Sequence, residues 1–417
     1  VPPAPLKSWR RLQISIFVAT WTAYAGLYFC RMNFYVVKAS LERELGFSAI
    51  ELGHLGTAYL AAYMLGQFGA ALFGRWLGPK KLLLAGTGIS LGVNFLLGFS
   101  HVWLSFLVLV ALNGLAQGTG WPGCIGSLGW WFERRQRGTV LGIWATCYQL
   151  GPFLASNFAG LMLGRAGFRW AFWAAALVLL AVWALVLWLH PNTPQDCGYK
   201  VEQDIKESTA GSAEPAEGWS GAVVVTVLMM GGIYFCIKFS RYLLFSWSAY
   251  FLEKNFGLSG EKAAYTSTVF YAAGFAGTLL SGWITDRFFA GRRAMVALVM
   301  MLGMCLCFLA MAVGGGDLSW FVFWLGAAGF MLYGPDALLS GVGAIDVARQ
   351  KKALAAAGII NGMGSAGPLF QEEAVGLLYQ HSGRIESVLW LLLAVAALST
   401  LLMAILWLGS RRRPEGF

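Results

Sequence analysis

The sequence predicts an all-α membrane protein with twelve transmembrane helices in two pseudo-symmetric six-helix bundles. Three observations carry this expectation. The 417 residues are 58% hydrophobic and only 12% charged, against about a quarter charged in an average soluble domain. Apolar segments of about 20 residues, the length that crosses a hydrocarbon core, recur along nearly the whole chain. One polar stretch interrupts that rhythm midway and leaves six segments on each side.

In chain order the predicted spans are 14–38, 50–74, 81–99, 102–130, 138–163, 170–190, 221–251, 262–289, 293–314, 319–345, 353–380 and 385–410. Their cations fall in alternate loops. Lys7, Arg10 and Arg11, then Arg75, Lys80 and Lys81, then Arg134, Arg135 and Arg137 share one side with Arg287, Arg292, Arg293, Arg349, Lys351, Lys352 and Arg411 to Arg413. The positive-inside rule makes that side, and both termini, cytoplasmic. The net charge of +10 therefore reads as membrane topology, not nucleic-acid binding. Val-Pro-Pro leading into basic residues and a full-length span reads as an uncleaved insertion signal. The seven cysteines include no CxxC and no Cys/His cluster, so they read as small packing residues, with no metal and no cofactor expected.

The interruption runs from PNTPQDCGYK through IKESTAGSAEPAEG and is rich in Pro, Ser, Gly, Ala and acidic residues. It divides the chain into a first bundle at 1–190, a cytoplasmic linker at 191–220 and a second bundle at 221–417. Two similar bundles are a common transporter plan, and a repeat inside the sequence supports it. Tyr24, Tyr28 and Arg31 share their spacing with Tyr234, Lys238 and Arg241, each pair 210 positions apart. GRWLGPKK after the second span matches GWITDRFFAGRR after the eighth. Spacings of four and three put each triplet on one helix face, and Tyr35 and Lys38 extend the first stripe. Such faces are costly against lipid, so both should line a polar cavity between the bundles.

Other patterns carry less. GTGWPG, Gly118 to Gly123, matches GxGxxG but follows no strand, so a dinucleotide site is not expected. Gly114 with Gly118, and Gly358 with Gly362, are spaced for close helix contact. His54, His101, His190 and His381 stand near span ends and read as interfacial. Among the tryptophans, Trp121 and Trp144 are the candidates for the cavity. No motif points to an enzyme.

Arg31 and Arg241, one per half, form a cationic site that calls for an anion. The guanidinium fork suits phosphate or carboxylate oxygens. Tyr24, Tyr28, Tyr148, Gln149, Asn361 and Tyr333 are candidates to contact the remainder of a small phosphorylated metabolite. Asp336 and Glu372 are candidates for ion pairing or proton coupling. Two unit charges brought to about 8 Å at an effective dielectric near 20 repel by roughly 2 kcal/mol. An anion between them reverses that sign, so loaded carriers switch more readily than empty ones, which is the logic of exchange.

YFCRMNF around Arg31, NGLAQGTGWPGC with WWFERRQRG from Asn113 to Gly138, NTPQDCG from Asn192, SRYLLFSWSAYFL from Ser240, AGFAGTLLSGW from Ala273 and LYGPDALLSG from Leu332 resemble the organophosphate:phosphate antiporter family of the major facilitator superfamily. The resemblance covers nearly the whole chain. It implies the major facilitator fold and exchange of a phosphomonoester for inorganic phosphate, as by the glycerol-3-phosphate, hexose-phosphate and glucose-6-phosphate transporters of that family. It also implies that Arg31 and Arg241 bind phosphate and that Tyr333 lines the site. Tyr148 falls where the glycerol-3-phosphate carriers place a histidine.

The chain departs from the family pattern at Met32 and Gln67, where lysines are common, and at Tyr271, where some relatives have glutamate. Lys238 stands where tyrosine is common and is expected to restore a cation from the opposite half. A Lys238–Asp336 ion pair holding the seventh and tenth spans together is the structural alternative.

The functional expectation is an organophosphate:phosphate antiporter, monomeric, in a bacterial cytoplasmic membrane. A membrane sensor of hexose phosphate and a proton-coupled organic-anion carrier using Asp336 or Glu372 are the alternatives.

Overall fold

The computed structural model describes residues 8–132, 134–191, 193–199, 221–288, 293–314, 316–338 and 353–410. Most of the predicted linker, and the basic residues Lys7, Arg292, Arg349, Lys351, Lys352 and Arg411 to Arg413, lie outside them. The helices are α1 (Trp9–Leu45), α2 (Ala49–Leu97), α3 (Trp103–Gln117), α4 (Gly120–Trp131), α5 (Arg134–Trp144), α6 (Cys147–Ala166) and α7 (Phe168–Leu189). After the linker come α8 (Gly221–Phe256), α9 (Gly260–Ser267), α10 (Val269–Phe288), α11 (Arg293–Val313), α12 (Leu318–Leu338), α13 (Ala353–Ser382) and α14 (Ile385–Ser410).

These account for all twelve predicted spans, with the breaks where local chemistry demands them. The helix α1 stops at Gly46, whose φ of 74° is left-handed and whose N–H caps the Glu42 carbonyl, a C-terminal stop that glycine makes without strain. The helix α2 starts on a capping box between Ser48 and Glu51. It carries two spans in one run, because the predicted turn after the second span reduces to Gly78, with φ 75° and ψ 161°, followed by Pro79. Proline cannot donate to the preceding turn, which fixes the bend there. The fourth, fifth and eighth spans are each interrupted briefly, between α3 and α4, α5 and α6, and α9 and α10.

Among the described residues eight runs are long and apolar enough to cross a membrane, from Trp9–Leu45 to Ile385–Gly409. The four predicted spans outside that set are the second (first arm of α2), the fifth (α5 with α6), the eighth (α9 with α10) and the eleventh (α13). All four meet a helix of the opposite half: α2 packs on α13, and α6 on α9 and α10. A helix that faces another helix bundle is free to carry glycine and polar residues that a lipid-facing helix is not. Gly53 and Gly376 show the consequence, since a Cβ on them would meet the Glu372 carbonyl oxygen at 2.7 Å and the Ala49 carbonyl oxygen at 2.9 Å.

Glycine packing is borne out at Gly114 and Gly118, where a Cβ would meet the Tyr59 carbonyl oxygen at 2.2 Å and the Gln67 backbone nitrogen at 2.7 Å. It is not borne out at Gly362, which faces open space. Gly364 and Gly367 on the next turns meet α8 instead, at 2.3 Å from the Tyr234 ring and 2.4 Å from the Phe235 carbonyl. His190 is buried, not interfacial. Its two ring nitrogens lie 2.7 Å from the Ser127 hydroxyl and 2.6 Å from the Pro191 carbonyl, and burial, with Lys80 nearby, pushes its pKa down to about 4.

Candidate functional site

In the first half the stripe on α1 is buried, as its composition requires. Arg31 is held from three sides. Its Nε donates to the Gln117 side-chain oxygen at 3.0 Å, and the Tyr59 hydroxyl donates to the same oxygen at 2.8 Å. Gln117 is fixed in turn, because its amide donates to the Leu27 and Cys30 carbonyls at 3.1 Å and to Ser90 at 3.2 Å. The guanidinium carbon lies 4.9, 5.6 and 5.0 Å from the ring centres of Tyr28, Tyr59 and Tyr63, within cation–π range. These partners are neutral, so Arg31 keeps its full positive charge.

Around it stands an aromatic wall. Tyr24 packs on Tyr28, Trp144 and Tyr148, with ring centres 5.7, 5.3 and 5.3 Å apart. The Trp121 indole, on an exposed residue, donates to the Tyr148 hydroxyl at 2.9 Å. Gln149 follows half-buried, without a side-chain hydrogen bond among the described residues.

In the second half Arg241 forms an ion pair with Asp336 of α12, and its guanidinium carbon lies 5.1 Å from the Tyr242 ring centre and 5.6 Å from that of Tyr333. The expected alternative of a Lys238–Asp336 pair is thereby corrected. Lys238 lies three residues earlier, on the side of α8 that meets α13. Its ammonium donates to the Asn361 side-chain oxygen at 3.0 Å and sits 4.6 Å from the Tyr234 ring centre. Arg241 faces α12 and so takes the carboxylate. Between the halves the Phe245 ring stands 5.7 Å from both Tyr35 of α1 and Tyr242, the neighbour of Arg241.

Tyr35 and Lys38 run past the clusters toward the end of the bundle opposite the described chain ends Ser8 and Ser410. There Lys38 meets Glu372 of α13 at 2.9 Å, both side chains fully buried. The Trp247 indole donates to the same carboxylate oxygen at 2.8 Å, and the ammonium lies 3.7 Å from the Trp247 ring centre. Further out, Glu42 accepts from Tyr250 at 2.7 Å and Lys254 at 2.9 Å, Arg43 pairs with Glu253, and His54 faces Glu373 at 3.2 Å. This distal end is sealed between the halves, while Trp121 and Asn361 at the level of the clusters stay exposed.

Sequence reasoning missed Gln117, Tyr59, Tyr63, Tyr242 and Trp247. Signals existed: Gln117 is a polar residue in an apolar helix, Tyr59 and Tyr63 repeat at four, and Tyr242 adjoins Arg241. Among the described residues no group of three or more His, Cys, Asp or Glu side chains is placed to hold a metal ion.

A model of the Major Facilitator Superfamily matches residues 20–231 and 230–417. The glycerol-3-phosphate transporter of Bacillus subtilis (strain 168) is 29% identical over 391 residues, covering 86% of this chain and 84% of that one. The sugar phosphate exchanger 3 of Bos taurus is 26% identical, covering 88% and 87%. Among solved structures, a bacterial homologue of the human lysosomal transporter Spinster superposes with a TM-score of 0.75 over 96% of this chain and 97% of that one, at 16% identity, which is a likeness of fold.

Proposed function

Because the chain belongs to the Major Facilitator Superfamily and is a transporter and not an enzyme, we propose that it exchanges a phosphorylated small metabolite for inorganic phosphate by alternating access. The phosphoryl group is held between Arg31 and Arg241. One observation carries this reading: two arginines at matching positions of the two halves, Arg31 buried on α1 and Arg241 partly buried on α8, each stand against tyrosine rings, and these two helices pack on one another. The printed functions of the relatives, glycerol-3-phosphate transport and sugar phosphate exchange, supply the ligand class.

The mechanism follows from charge and from the seal. With the distal end closed, the clusters are reached from the end that carries the termini, which the basic loops assign to the cytoplasm. A phosphoryl group entering there accepts from the free N–H groups of Arg31 and Arg241 and screens their repulsion. The halves then close over it and part at the distal end. Lipid-facing surfaces stay within each bundle, joined by the 191–220 linker, and the carrier works as a monomer in a cytoplasmic membrane. The aromatic wall of Tyr24, Tyr28, Trp121 and Tyr148 takes the organic part of the substrate.

The test is binding of inorganic phosphate to purified Arg31→Ala and Arg241→Ala. Each should lose binding while staying folded, and lysine should restore little, because a point charge lacks the fork. Unchanged phosphate affinity in either alanine variant refutes the two-arginine site.

A further inference from the structure

The charge balance of the site differs from what two arginines alone imply. Arg241 is neutralised by Asp336, whereas among the described residues Arg31 and Lys238 meet only neutral hydrogen-bond partners, Gln117 and Asn361. Three cations against one carboxylate leave two positive charges at the centre. Resting on the two-cluster reading above, we infer that Lys238 supplies the charge that Asp336 removes from Arg241. The site is thereby matched to dianionic phosphate and phosphomonoesters over monoanionic ligands.

The local structure divides the two tasks. The carboxylate of Asp336 engages one arm of Arg241, and a guanidinium has five N–H donors in all. Arg241 therefore keeps directional donors for phosphoryl oxygens while its charge is balanced in the unloaded carrier. Lys238 contributes charge with little directionality. Its ammonium rests over Tyr234, and Tyr234 fits there because Gly364 has no Cβ: one would stand 2.3 Å from the ring. Asn361, the partner, is exposed, so the half-buried cation stands beside an open face and is not sealed away. A phosphomonoester carries −1.5 to −2 near neutral pH, which this arrangement complements. A phosphodiester carries a single negative charge and does not.

The test uses the purified full chain and calorimetric binding of inorganic phosphate, with dimethyl phosphate as the monoanionic probe. Lys238→Met should weaken phosphate binding about ten- to a hundredfold, the loss of one charge-assisted contact, and should affect dimethyl phosphate less. Asp336→Asn alone should tighten phosphate binding. The double variant Lys238→Met with Asp336→Asn, which again leaves two positive charges, should recover most of the loss. A double variant as weak as Lys238→Met overturns the inference. So does weaker binding in Asp336→Asn, a result readable even if Lys238→Met fails to fold. Arg31→Ala marks the site itself: its loss of binding together with a failed double variant places the fault in the charge account, and its full retention of binding overturns the two-cluster site and this inference with it.

Discussion

Replacing Glu372 with glutamine should open the distal end. The substitution keeps an oxygen for the Trp247 indole, now 2.8 Å from the carboxylate, and removes only the charge, leaving Lys38 buried without its partner at 2.9 Å. Breaking a buried ion pair from one side costs about 3–5 kcal/mol. The Trp247 face, 3.7 Å from the ammonium, is present before and after the substitution and does not change that difference. A shift of roughly a hundredfold or more follows toward states in which the halves separate and Lys38 is hydrated. Spin labels at exposed Glu44 of α1 and Lys262 of α9 report this as a longer, broader distance distribution. The apolar double variant Lys38→Met with Glu372→Met should restore the short distance, since it leaves no unpaired charge. An unchanged distribution in both Glu372→Gln and Lys38→Met refutes the idea that this pair holds the closed end.

Two further outcomes follow from the packing. Gly114→Ala places a Cβ 2.2 Å from the Tyr59 carbonyl oxygen, so α3 must move off α2. A loss of about 1–3 kcal/mol is expected, seen as a lower melting temperature in detergent, and an unchanged melt contradicts the close approach. His190 has a folded pKa of about 4 against an ordinary value near 6.5. Its neutral form therefore contributes stability that is full above about pH 6.5 and is lost as pH falls toward 4, by up to about 3 kcal/mol. Melting temperature followed from pH 7.5 to 4.5 should fall less steeply in His190→Gln, and equal slopes remove the histidine from the account.

Much of this architecture is legible in the sequence because lipid imposes it. Apolar length and alternating basic loops mark the spans, and the 210-residue offset of Tyr24, Tyr28 and Arg31 points to both halves of the candidate site. What stays hidden is pairing between distant helices. Periodicity puts Lys238 and Arg241 on nearly the same face, and only the placement of α12 and α13 decides that Asp336 meets Arg241 and Asn361 meets Lys238. Lys38 likewise reads as an extension of a cavity stripe, whereas α13 brings Glu372 against it and turns that part of the stripe into a seal. Gln117 shows the same gap, since its hold on Arg31 depends on how α3 lies against α1.

Exchange through the two-arginine site is tested most directly by counterflow. Vesicles carrying the reconstituted protein are loaded with labelled inorganic phosphate, and external glycerol-3-phosphate or hexose phosphate is added. Efflux should accelerate on addition with the wild-type chain and stay at the background rate with Arg31→Ala. Efflux that ignores the external organophosphates, or that Arg31→Ala supports as well as wild type, contradicts exchange through that site.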